Sequence, residues 1–200
     1  FIQSLILGRI KMRMMKIIGI FIAALAPVLT MAHPGHHHHE ASFWTGFVHP
    51  FTGLDHLIMA ISFGVLMWTM TKQWKVIGAL GLVTALVAGF ALGAQGLLNN
   101  SIAEYGIVAS LLVLAVALWT KSNQVLPVAA TLLATFHGVA HGTELAMNGN
   151  VAVQILGMIS AMAVIYGAGL ALGKLISKYV PHGKKIIGTI AAVVACIGLA

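Results

Sequence analysis

The stretch HPFTGLDH (49–56) runs directly into LIMAISFGVLMW (57–68), so two histidines and an aspartate stand at the lip of a strongly apolar segment. Whether that segment crosses a bilayer or lies in a soluble core decides the fold. The rest of the chain answers: of 200 residues, 60% are hydrophobic and 8% charged, with a mean hydropathy of +0.98, far outside the range of a soluble domain. Apolar segments at about 51–70, 76–98, 102–119, 125–147, 151–173 and 185–200 are separated by short polar breaks. The reading is an all-α integral membrane protein, a compact bundle of six transmembrane helices after a cleaved N-terminal signal peptide. The last segment holds only about 16 residues against the roughly 20 of a full span, so it either ends at the far headgroups or is cut short.

Upstream of these spans, Met12, Met14 and Met15 are candidate starts, followed by basic Arg13 and Lys16, the apolar run IIGIFIAALAPVL and a small-residue exit ending at Ala32. This is the pattern of a secretory signal removed after Ala32, the alternative being an uncleaved first helix that is short for a span. Residues 1–32 are then leader, 33–48 a histidine-rich periplasmic tail and 49–200 the six-helix domain. With the mature N-terminus outside, all 11 Lys and Arg fall on the cytoplasmic side: Arg9, Lys11, Arg13, Lys16, Lys72, Lys75, Lys121, Lys174, Lys178, Lys184 and Lys185. The outer breaks LLNNS and MNGN hold none. The net charge of +7 is therefore a topology signal for a bacterial inner membrane, and its spread over several loops excludes a nucleic-acid surface. The lone Cys196, in an apolar run, is read as packing. Glycines at GxxxG spacing, Gly89 with Gly93 and Gly169 with Gly173, predict close helix contacts; GAGLALGK (167–174) lies within a span and is no phosphate loop.

Ionisable groups are costly at membrane depth, so those present are functional candidates. In FHGVAHGTE (136–144), His137, His141 and Glu144 are spaced four and three apart and share one face of the fourth helix. If the first helix begins by His49, with Pro50 in its first turn, His49 and His56 also share a face and Asp55 sits beside them. Counting at 1.5 Å per residue from the outer ends puts His56 and His141 both about 9 Å deep, in one layer. Imidazole with carboxylate suits nickel, cobalt or zinc, whereas an all-oxygen set would favour magnesium or calcium. The tail HPGHHHHE adds His33, His36, His37, His38 and His39 as an ion-capturing segment. Gln95, Asn99, Asn100, Glu104, Gln154 and Tyr166 read as helix-to-helix hydrogen bonders, and His182 as a solvated loop residue.

HPFTGLDH at the start of the first span and FHGVAHGTE in the fourth resemble the two signature motifs of the HupE/UreJ family, and the likeness runs over essentially the whole mature chain. The resemblance implies a small permease for nickel, in some members cobalt, that accompanies hydrogenases or ureases. It points to His49, Asp55, His56, His137, His141 and Glu144 as the groups critical for transport. The histidine run of the tail is not required by the family. The expectation is a secondary transporter, not an enzyme, that moves Ni2+ or Co2+ from periplasm to cytoplasm, with hand-off to cytoplasmic nickel chaperones. No nucleotide-binding motif is present, so the driving force expected is membrane potential with metal capture inside, Asp55, His56 and His141 coordinating the ion and His137 passing it on. The rival from the same residue types is an intramembrane zinc hydrolase with three histidines on the metal and a carboxylate activating water. A haem held by His56 and His137 is a third reading, disfavoured by the neighbouring acids.

Overall fold

A computed structural model describes residues 42–121, 124–145 and 150–199; the segment expected to be a signal peptide and the tail histidines His33, His36, His37, His38 and His39 lie outside these residues. Among the described residues there are helices and no strands: α1 (Phe43–Thr52), α2 (Leu54–Trp68), α3 (Lys72–Ala94), α4 (Asn100–Trp119), α5 (Val125–Leu133), α6 (Thr135–Leu145), α7 (Val151–Tyr179) and α8 (Gly183–Ile197). Their starts are locally encoded. The Ser42 hydroxyl accepts from the Thr45 amide (3.2 Å) while the Ser42 amide donates to Thr45 Oγ1 (3.0 Å), a reciprocal cap for α1. Asn99 and Asn150, from the two polar breaks without lysine, accept from the amides of Ile102 and Val153 and cap α4 and α7.

The centre of the bundle is α2, in which every residue from His56 to Met67 is buried. A helix apolar on all sides is stable only when enclosed on all sides. Here α7 packs along it, α4 and α8 lie against it, and α3 pairs with α6 beside them. The outer helices turn large apolar side chains outward, among them Leu80 on α3, Tyr105 on α4, Leu156 on α7 and Val193 on α8. Continuous outward apolar surface on several helices is the signature of a lipid-facing bundle.

Close helix approach is set by glycine. A Cβ on Gly89 or Gly93 of α3 would strike the carbonyls of Thr135 or Val139 of α6, and one on Gly138 or Gly142 of α6 would strike the carbonyls of Leu86 or Phe90 of α3. The expected GxxxG stripe at 89–93 thus meets a second stripe inside FHGVAHGTE, backbone to backbone. The stripe at 169–173 seats α7 against Ile61, Gly64 and Trp68 of α2. At the lysine-rich end, Lys184 Nζ donates to the Thr120 carbonyl (2.9 Å), Lys75 Nζ stands 3.8 Å over the Trp68 ring, and the Tyr166 hydroxyl donates to the Lys75 carbonyl (2.8 Å). These contacts tie α2, α3, α4, α7 and α8 together one α2 length, roughly 20 Å, from Asp55.

Counting α5 and α6 as one, four helices are long and apolar enough to cross a membrane, and α1 with α2 forms a fifth candidate broken by an 81° bend. The sixth expected span corresponds to α8, whose 15 residues rise about 22 Å, short of the roughly 30 Å core. Two local expectations are corrected. The first span does not begin by His49: α1 starts at Phe43, Pro50 lies near its C-terminal end rather than in its first turn, and the helix stops at Thr52. Pro50 has no amide for the Gly46 carbonyl, and Gly53 then turns the chain into extended backbone (φ −86°, ψ 117°). The fourth span is not one regular helix either. It tightens at Ala134, whose carbonyl accepts from His137 (3.1 Å), three residues on, just before FHGVAHGTE.

Candidate metal centre

The bend at Gly53 starts α2 inside the protein. Asp55 occupies its first turn, where a carboxylate faces the positive end of the helix, and the carbonyl end of α1 arrives at the same corner, favourable for a cation. Across from the corner, α6 presents His137, His141 and Glu144 on one face. The glycine stripe behind that face holds it tightly to α3.

All six singled-out side chains gather here, in two groups. Asp55, His56 and His137 offer ligand atoms within 4.8 Å of one another, and so do His49, His141 and Glu144. Each group has two imidazoles and one carboxylate, a set that leaves coordination positions open for water or a further ligand. The groups adjoin: the His141 ring lies 4.4 Å from that of His56 and 4.5 Å from that of His49, centre to centre, and His56 lies 4.7 Å from His137. His137 is fully buried and Glu144 is exposed, so the first group is the inner one and the second forms the mouth.

This arrangement differs from the sequence reading in two respects. His49 and His56 do not share a helix face; the bend folds α1 back so that their rings come within 6.1 Å. His141 groups with His49 and Glu144 rather than with Asp55 and His56, standing between the two sets. The His56 and His137 rings, edge to face at 4.7 Å, leave no room for a macrocycle, which removes the haem reading.

The donor atoms themselves test the fit to a metal. Both ring nitrogens of His56 and His141, and Nδ1 of His137, are buried with no hydrogen-bond partner. His56 Nδ1 is 2.9 Å from Asp55 Oδ1, yet the pair is not aligned as an N–H···O bond. That separation is close to the roughly 3 Å between neighbouring donors on an octahedral ion with bonds of about 2.1 Å. Buried polar atoms are nearly always paired; the three neutral imidazoles bring one lone pair each, and with no hydrogen-bond partner to use them these lone pairs suit an electrophile.

Three residues outside the sequence reading shape the site. Gly53 is there for space: its backbone angles suit any residue, but a Cβ would come 2.8 Å from His56 Nδ1 and 3.1 Å from Asp55 Oδ1. Gly106 of α4 leaves room for the Phe136 ring, and Ser110, one turn on and fully buried, places its hydroxyl 3.0 Å from His137 Nε2. The available signal was weak: Gly106 and Ser110 are small residues one turn apart on a helix that also carries Ala103, Ala109, Ala115 and Ala117.

Glu104 of α4 lies close enough to Glu144 at the mouth for their charges to interact. Tyr166 makes the helix-to-helix hydrogen bond expected of it, Asn100 donates to Glu104 (3.3 Å), and exposed His182 occupies a left-handed turn (φ 58°) before α8. Gln154 is buried in α7 with its Oε1 unpaired.

Comparison with known proteins matches residues 19–200 to the family model described as HupE / UreJ protein. The chain belongs to the HupE/UreJ family. Among curated proteins it is similar to "Protein HupE" of Rhizobium leguminosarum bv. viciae, 28% identical over 185 residues that cover 90% of this chain and 93% of the relative. No solved structure matches. As a HupE/UreJ member with several long apolar helices, the chain is a multi-pass membrane protein, and both histidine motifs fall inside the matched region.

Proposed function

We propose that this HupE/UreJ protein is a secondary transporter that carries Ni2+, and in some conditions Co2+, from the periplasm to the cytoplasm, passing it to metallochaperones for hydrogenase or urease assembly. The observation that carries the reading is the pair of adjoining groups, each of two histidines and one carboxylate, joined through His141. A resident structural metal needs one closed set, whereas a moving ion needs successive open ones that bind without trapping it. Glu144 and His49 receive the hydrated ion at the mouth and begin to replace its water. His141 stands between His49 and His56, so it holds the ion while His56 and Asp55 engage. His137 completes the inner set.

The spans and basic residues support the direction, with the site at the lysine-free end. An inward-negative potential of about 100 mV favours entry of a divalent ion by roughly 4.6 kcal/mol, so no nucleotide is needed. Protonated imidazole has no lone pair to give, so the ion is carried only while the ligand histidines are neutral. Radioactive nickel uptake by cells, with zinc, cobalt and manganese as competitors, tests the reading. Asp55→Ala, His56→Ala and His141→Ala should each lower nickel uptake at least tenfold at unchanged protein level. Wild-type uptake in all three variants would refute it.

A further inference from the structure

We infer that Ser110 is a positioning residue that locks His137 in the tautomer protonated at Nε2, so that Nδ1 is the nitrogen presented to the ion. A serine hydroxyl has a single proton. Here Ser110 Oγ lies 2.7 Å from the Ile107 carbonyl one turn back on α4, the usual separation for O–H···O and the usual bond of a serine within a helix. With that proton committed, Oγ can only accept from His137 Nε2, 3.0 Å away, the usual separation for N–H···O. Nε2 therefore carries the ring proton and Nδ1 carries the lone pair.

Both residues are fully buried, and Nδ1 of His137 has no partner within the protein. Burial keeps water from offering Nδ1 a competing donor. The neighbours reinforce the geometry: Phe136 sits against Gly106, one turn before Ser110, which fixes the rotation of α6 over α4 and the direction in which His137 leaves its helix. The inner set then reads Asp55 carboxylate, a His56 nitrogen and His137 Nδ1, with Ser110 behind the third ligand. A metal-binding imidazole whose second nitrogen is held by a fixed partner is better oriented and more basic, and losing that partner typically weakens binding about 10–100-fold.

The identity of the ion rests on the transport reading; the tautomer does not. The test uses the full chain in detergent, labelled with 15N-histidine, the His137 signals being assigned by their loss in His137→Asn. In the metal-free wild type, His137 should show a protonated Nε2 and a bare Nδ1, and added zinc, a diamagnetic probe, should move the Nδ1 signal. Ser110→Ala should mix the two tautomers and weaken zinc binding about tenfold or more, and Ser110→Thr, which keeps the hydroxyl, should restore both. A wild-type His137 protonated at Nδ1, or a Ser110→Ala protein with unchanged tautomer and affinity, overturns the proposal. If Ser110→Ala fails to fold, the wild-type tautomer and the Ser110→Thr protein still decide it. A correct tautomer with no zinc or nickel bound anywhere in the wild type overturns the transport reading and the ligand role, and leaves the lock alone standing.

Discussion

At the scale of single residues, the two groups divide the work in a way that mutants can separate. Glu144 is exposed at the mouth, so Glu144→Gln should raise the nickel concentration for half-maximal uptake several-fold while leaving the maximal rate within about twofold. Asp55 supplies the inner group's carboxylate, and Asp55→Asn should instead lower the maximal rate at least tenfold. Concentration dependence of uptake in the two variants checks this. All six ligand candidates were legible in the sequence, because an ionisable group inside an apolar helix is conspicuous and helical spacing sorts its face. Their partition was not, since it depends on where α1 folds back. Ser110 escaped for a different reason: a hydroxyl in a membrane helix ordinarily satisfies itself on its own backbone, and only the contact with His137 gives it a second role.

At the scale of elements, glycines place the helices, and the two kinds of glycine make opposite predictions. Gly138 has the Leu86 carbonyl against it, so Gly138→Ala must push α3 and α6 apart and should destabilise by about 1–3 kcal/mol. Gly167 faces open space, so Gly167→Ala should be neutral or stabilise by up to about 1 kcal/mol through helix propensity. Thermal melts of the detergent-solubilised proteins compare them. Gly53→Ala is different again: its methyl lands among ligand atoms rather than between helices, so it should lower uptake about tenfold or more with little change in melting temperature. The helices themselves were largely readable from hydropathy, within a few residues at most ends. The bend was not, although HPFTGLDH contains its cause, a proline that withdraws an amide and a glycine three residues later. Reading Pro50 as a helix start hid it, because a proline in the first turn and one near a helix end look alike in sequence.

At the scale of the whole molecule, the fold encloses one apolar helix, α2, and gives its first turn to the ion site. Its other end meets the lysine-bearing segments, so ligand end and basic end stand at opposite poles of the described bundle. Charge asymmetry along the chain had already ordered those poles. What sequence could not supply was the joining of the two histidine motifs into adjacent sites, which requires α2 and α6 to be neighbours in space. The central claim is that the ion passes through. Its most direct test is purified protein in liposomes with an inward-negative potential, external Ni2+ and a metal readout of the lumen. The expected result is time-dependent nickel accumulation that collapses with the potential and is lost in Asp55→Asn and His141→Ala. A protein that keeps stoichiometric zinc through dialysis and shows no nickel flux would contradict it, and would point to a resident metal in place of a travelling one.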